Sequence, residues 1–186
     1  MKAVFAFLLL LATGPAGAQQ LMAPVPVDAT TRLVTYTAVV PAPGVAQASL
    51  LARARVWAAR VGIPDKPPVM VSELGTDVLV VAGMQAINSA YDISPQSLYF
   101  LARVALREGR YQYRLEELTL VTTSSTEPPI YRPAEALFLS EAPPKATGSS
   151  YATRQRKAFE EAVGQAAATL QFSLTTPLTA GTGADW

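Results

Sequence analysis

From Ser97 to Val121 apolar and polar residues alternate almost one by one, with a two-residue interruption at Glu108 and Gly109. A period of two sends successive side chains to opposite faces of a strand, so Ser97–Arg107 and Arg110–Val121 read as the arms of a hairpin. Gly109 accepts positive φ, and a two-residue turn sets the register. Arg107 then faces Arg110, Leu106 faces Tyr111, Val104 faces Tyr113 and Arg103 faces Arg114. One side gathers Leu98, Phe100, Val104 and Leu106 with Tyr111, Tyr113 and Leu115, and is the core side. The other carries Tyr99, Leu101, Arg103, Ala105, Arg107, Arg110, Gln112, Arg114 and Glu116.

The same period marks Thr31–Val40 as an earlier strand, closed by Pro41, Pro43 and Gly44. Two further strands, Val69–Glu73 and Val78–Ile87, are joined by a glycine-containing turn. Gly83 within the second signals a bulge or a close approach of another backbone. Between Ala46 and Val61 the spacing changes to three and four, with Leu50, Ala54, Trp57 and Val61 on one stripe and Arg53 and Arg60 opposite. That is an amphipathic helix stopped by Gly62 and Pro64. A second runs from Thr153 to about Phe172, with Phe159, Val163, Ala166 and Leu170 on its apolar side; Gly164 would permit close packing at some cost in helix stability. Residues 122–150 form a connection rich in Ser, Thr and Pro, long enough that part of it, around Ala136–Leu139, must pack along the body.

Composition adds a compartment. The first residues place Lys2 ahead of an apolar run from Ala3 to Ala12, followed by Ala16, Gly17 and Ala18. The run is too short to span a bilayer, and the pattern is that of a secretory leader cleaved before Gln19. The expected organisation is a signal peptide at 1–18, an approach segment at 19–30, one domain at 31–172 and a flexible tail at 173–186. Loss of Lys2 would bring the basic residues from 15 to 14, level with the 14 acidic ones. A neutral chain has no general attraction for nucleic acid or anionic membrane; only a local patch could supply one, and no nucleic acid is expected as a partner. The expected product is exported, to the periplasm or the exterior, and does not span the membrane.

The run from Leu33 to Val61, the strands through GTDVLVVAGMQ, the hairpin REGRYQYRLEELTL and the later YRPAEALF before a last helix together resemble the secreted bacterial family called domain of unknown function 4468. The resemblance covers roughly Val27 to Phe172. It implies an α+β fold of the TATA-binding-protein type, in the order β-α-β-β-β-β-α, with a curved antiparallel five-stranded sheet and two helices on one face. It brings no active site and no cofactor. Ala46 stands where a capping Ser or Thr would be expected, and the proline-rich connection suggests an insertion.

Histidine and cysteine are both absent, which removes the commonest general base, the thiol nucleophile and disulfides. No serine stands three residues before Lys66, Lys145 or Lys157, so the S-x-x-K arrangement is missing. The pairs Glu116/Glu117 and Glu160/Glu161 are adjacent and cannot converge as an acid–base dyad. The tail GTGADW lacks the third glycine of a dinucleotide fingerprint. No cofactor and no catalysis are expected. The reading that remains is a binding or interaction module of the cell envelope using the open sheet face, with Tyr99, Arg103, Arg107, Arg110, Gln112 and Arg114 as an anion- or partner-binding surface. An envelope protein or a polyanionic ligand would suit it. The alternative is a hydrolase with carboxylate chemistry, for which Asp77, Asp92 or Glu116 would be the first residues to suspect.

Overall fold

The computed structural model describes residues 25–63, 70–72, 77–87, 95–139 and 149–178. The leader, Asp92 and most of the tail lie outside them. The elements run β1 (Tyr36–Pro41), α1 (Gln47–Val61), β2 (Met70–Ser72), β3 (Val78–Ile87), β4 (Gln96–Arg107), β5 (Arg110–Thr122), β6 (Ile130–Pro133), α2 (Ala134–Phe138) and α3 (Ser149–Thr175).

The hairpin of β4 and β5 has the expected register, with Arg107 opposite Arg110, Leu106 opposite Tyr111, Val104 opposite Tyr113 and Arg103 opposite Arg114. In its turn only Gly109 has positive φ, 72°. That is the pattern of a type II turn, whose twist suits a hairpin less well than type I′. Two backbone bonds hold it in place: Ala42 N–H donates to Gly109 O at 2.8 Å, and Gly109 N–H donates to Val45 O at 3.1 Å.

The sheet is antiparallel, ordered β1-β5-β4-β3-β2, and β6 also pairs with β5. The alternation does not run unbroken to Val121. Opposite Tyr99–Leu101 the register slips by one residue, and Glu117 takes φ 53°, a left-handed conformation unusual for a residue with a side chain. The inward set therefore passes from Tyr111, Tyr113 and Leu115 to Leu118 and Leu120. Before this bulge the edge of β5 pairs with β1, and after it with β6. The sheet is thus five strands wide, with β6 prolonging the lane of β1. The expected element order lacked β6 and α2, both built from the connection after β5.

β1 begins at Tyr36 rather than Thr31. The Asp28 carboxylate accepts from the backbone N–H of Thr30 (3.0 Å) and Thr31 (2.8 Å) and from the Thr31 hydroxyl (3.1 Å), and Arg32 at φ 62° turns the chain back. Such an Asx turn competes with extended structure. Val27 then bridges Val34, which is fully buried.

Both long helices pack on the inward face of the sheet. α1 buries Leu50, Ala54, Trp57, Ala58 and Val61, and α3 buries Phe159, Ala162, Val163, Ala166, Leu170 and Leu174. The start of α1 carries no side-chain cap at Ala46, as its sequence implies. Arg53 of α1 donates to the carbonyls of Leu174 (2.8 Å) and Thr175 (3.3 Å), satisfying acceptors at the negative end of α3. α2 closes the end of this layer: the rings of Phe138 and Phe159 lie 4.8 Å apart, and Glu135 accepts from Val34 N–H at 2.7 Å. Gly83 marks no bulge, because the β3–β4 register is continuous through it. It makes room for the Phe100 ring. Gly164 has open space where a Cβ would stand, so helix packing does not require it.

Candidate functional site

With α1 and α3 on one side, the outward side of the sheet is left uncovered by any described helix. The two rungs of opposed arginines both face this way. At the first, Glu116 stands two residues beyond Arg114 and so on the same face. Its carboxylate accepts from Arg103 Nε at 2.5 Å and from Arg114 Nε at 2.7 Å. Glu116 is only 8% exposed, and shielding from water strengthens such charge-assisted bonds. Arg114 also reaches Asp28, with Nη1 3.2 Å from Oδ2. The Asp28 carboxyl is held below the usual range, chiefly by the bond from Thr31 N–H; burial opposes this, while Thr30 N–H, the Thr31 hydroxyl and the Arg114 charge add to it.

At the second rung, beside the turn, Arg107 and Arg110 are exposed. No carboxylate among the described residues makes an ion pair with either. They line a cleft of about 290 Å³ with Val39, Ala105, Tyr111 and Gln112. Tyr99 is elsewhere: eight residues along β4 from Arg107, about 27 Å at the rise of a strand, its ring lies edge-on to Tyr131 of β6 at 6.4 Å. All six residues singled out in the sequence share one face. They form three groups, an arginine pair neutralised from within, an arginine pair with Gln112 beside a cleft, and an aromatic pair. Tyr131 was missed because β6 was missed.

Of the carboxylates suspected of hydrolytic chemistry, Asp92 lies outside the described residues, and Asp77 and Glu116 are not brought together. Asp77 lies level with Leu106, whose N–H donates to its carbonyl at 2.8 Å, whereas Glu116 is paired with Leu101. Five residues of strand put about 17 Å between the two levels. Among the described residues no three acidic side chains gather as a metal site would need. The hydroxyls of Tyr36 and Tyr111 are buried without a hydrogen-bond partner among the described residues. Burial pushes both phenols up to about 12, aided by the Glu160 charge at Tyr36 and by Tyr113 at Tyr111. No described helix is long and apolar enough to cross a membrane.

No protein-family model matches the chain, and no curated protein matches it. Solved structures do. A crystal structure of a TBP-like protein from Parabacteroides distasonis superposes with a TM-score of 0.62 at 11% identity, over 82% of this chain and 98% of that one. The fold is TATA-binding-protein-like. A DUF4468 family protein from Bacteroides ovatus gives a TM-score of 0.57 at 16% identity, over 83% of this chain and 92% of that one. These TBP-like neighbours match the fold that the resemblance implies. At such identities the likeness is one of fold, and a fold of this type hosts no particular chemistry by itself.

Proposed function

We propose that this chain is an exported, non-catalytic binding module of the cell envelope that takes an anionic partner on its uncovered sheet face, at the hairpin end around Arg107, Arg110 and Gln112. The supporting observation is the contrast between the two rungs. Opposed like charges on neighbouring strands are unfavourable. At Arg103 and Arg114 the chain supplies the counter-charge itself through Glu116 and Asp28. At Arg107 and Arg110 it supplies none among the described residues, and the two guanidiniums border a cleft. Guanidinium forks match the oxygens of carboxylate, phosphate and sulfate groups. A polyanionic polymer or an acidic envelope protein would complete the charge balance.

Calorimetric titration with a heparin hexasaccharide and with polyglutamate tests this reading. The wild-type chain is expected to bind at least one of them with an affinity that falls as salt rises, and the Arg107→Glu/Arg110→Glu variant to bind at least tenfold more weakly. Equal binding by both proteins, or none by the wild type, overturns the reading. Export is tested separately: the mature protein recovered from a periplasmic or culture fraction should begin at Gln19 by mass spectrometry. Full-length chain confined to the cytoplasm would remove that part.

A further inference from the structure

On the opposite side of the sheet a second cavity, about 510 Å³, opens between α1, α3 and the end of β3. Its size falls within the usual range for small-molecule sites. Its apolar lining comes from Ala168 and Phe172 of α3 with the edges of Trp57 and Val61 of α1, while Met84 and Ala86, paired with Tyr99 and Ser97 and so turned to the outer face, contribute only backbone. Phe172 lies off the buried stripe of α3 and is 67% exposed, which forgoes most of the stabilisation its burial would bring.

The polar groups in the wall are mostly engaged with one another. Trp57 Nε1–H donates to the Thr169 hydroxyl at 3.3 Å, and that hydroxyl donates to Ala166 O at 2.9 Å. Gln85 Nε2 donates to Gln165 Oε1 at 3.1 Å and to Ala86 O at 3.3 Å. What the lining leaves over is the Arg60 guanidinium, exposed at the rim and without an ion pair among the described residues, with the Ser173 hydroxyl beside it. Both also border an adjoining cleft of about 380 Å³, shared through Phe172. The cavity therefore presents an apolar body and one cationic end.

We propose that this cavity binds a single-chain amphiphile with a carboxylate head, a fatty acid in its chemistry. The hydrocarbon lies along Ala168 and Phe172 against the edges of Trp57 and Val61, and the carboxylate meets Arg60, with Ser173 as a second donor. An acid of this kind gains by burying its chain and by pairing its charge at the rim, where the head stays near water. An uncharged alcohol of the same length gains only the first. The site is independent of the arginine cleft on the other face, so either assignment can fail without the other.

The test is titration with dodecanoate, dodecanol and dodecyltrimethylammonium below their micelle concentrations, read by calorimetry and by Trp57 fluorescence in a Trp186→Phe background. Dodecanoate is expected to bind one to one and more tightly than dodecanol, with the cation weakest. Arg60→Glu should weaken dodecanoate at least tenfold and leave dodecanol within twofold. Phe172→Asp should weaken both. Arg60 and Phe172 are exposed, so both variants are expected to fold, and circular dichroism checks that they do. Absence of saturable dodecanoate binding overturns the proposal, as does insensitivity to Arg60→Glu. A Trp57 signal that follows protein concentration and dimer formation instead of ligand would also overturn it, since a second copy would then be what covers Phe172.

Discussion

The ring of Phe100 lies directly over Gly83, so that a Cβ at Gly83 would stand 2.5 Å from its Cζ and 3.2 Å from Val61 Cγ2. Phe100 is itself wedged beside Trp57, with ring centroids 6.4 Å apart, and cannot swing aside as a surface chain would. Gly83→Ala is therefore expected to lower stability by about 1–3 kcal/mol, the usual range for overpacking. Urea unfolding should show a lower midpoint at unchanged slope.

The same substitution at Gly164 has the opposite sign. It sits inside α3, with nothing within 4 Å of a built Cβ. Glycine in a helix interior costs about 0.5–1 kcal/mol relative to alanine. Gly164→Ala should raise the thermal midpoint by a corresponding few degrees, and a fall would show that the helix needs that gap.

Glu116→Gln keeps the shape of the Arg103–Glu116–Arg114 group and removes the charge that reconciles its arginines. A loss of about 1–3 kcal/mol is expected, the range for disturbing a shielded hydrogen-bonded charge. Part of it should return in high salt, which screens the remaining repulsion. Chemical unfolding at two salt concentrations measures both.

Arg107→Gln/Arg110→Gln should not destabilise the fold. Removing an unneutralised like-charge pair is expected to change stability by less than about 0.5 kcal/mol, with any change favourable. A large loss in thermal unfolding would mean that these arginines hold the hairpin together and are not held ready for a partner.

At alkaline pH two of the seven tyrosines should titrate late. An exposed phenol ionises near about 10, whereas Tyr36 and Tyr111 are raised to about 12. A group whose pKa is raised on folding contributes stability fully below its unfolded pKa and loses it as pH rises through the folded one. Stability should therefore fall between pH 10 and 12, tracked by phenolate absorbance and unfolding at each pH. Tyr36→Phe/Tyr111→Phe should flatten that fall, and removing two hydroxyls without a partner among the described residues should leave neutral-pH stability unchanged or higher.

The parts of this fold that local chemistry determines were legible in the chain. The hairpin register follows from one glycine and a strict alternation, and the buried stripes of α1 and α3 follow from helical spacing. The rest depends on distant partners. IYRP carries too few residues to announce a strand, and becomes β6 because β5 has an edge left over beyond its bulge. That bulge is held by Glu117, a residue type that does not advertise left-handed backbone. Asp28 falls in the expected approach segment, yet its carboxylate organises a turn and neutralises Arg114. For the proposed binding face, side and membership could be read from alternation alone. The division into a neutralised rung and an open one could not, since it depends on which acids come within reach. The cavity at Trp57 was hidden for the same reason: its walls come from three elements far apart in sequence.

The divided lane beside β5 also biases the order of assembly. β6 pairs Ile130 with Thr122 across a short connection, whereas the bond from the Thr37 hydroxyl to Tyr113 O closes a separation of 76 residues. Each doubling of loop length adds about 0.6 kcal/mol to closure, so β6 can dock early and β1 at greater entropic expense. Until β1 arrives, the stretch of β5 from Arg110 to Leu115 offers unpaired backbone groups to any other nascent chain. Arg110 lies on that stretch with no ion pair among the described residues, and a cation on an open edge disfavours pairing with a second copy of it. In the interval before the first strand returns, that arginine acts as a guard against intermolecular pairing.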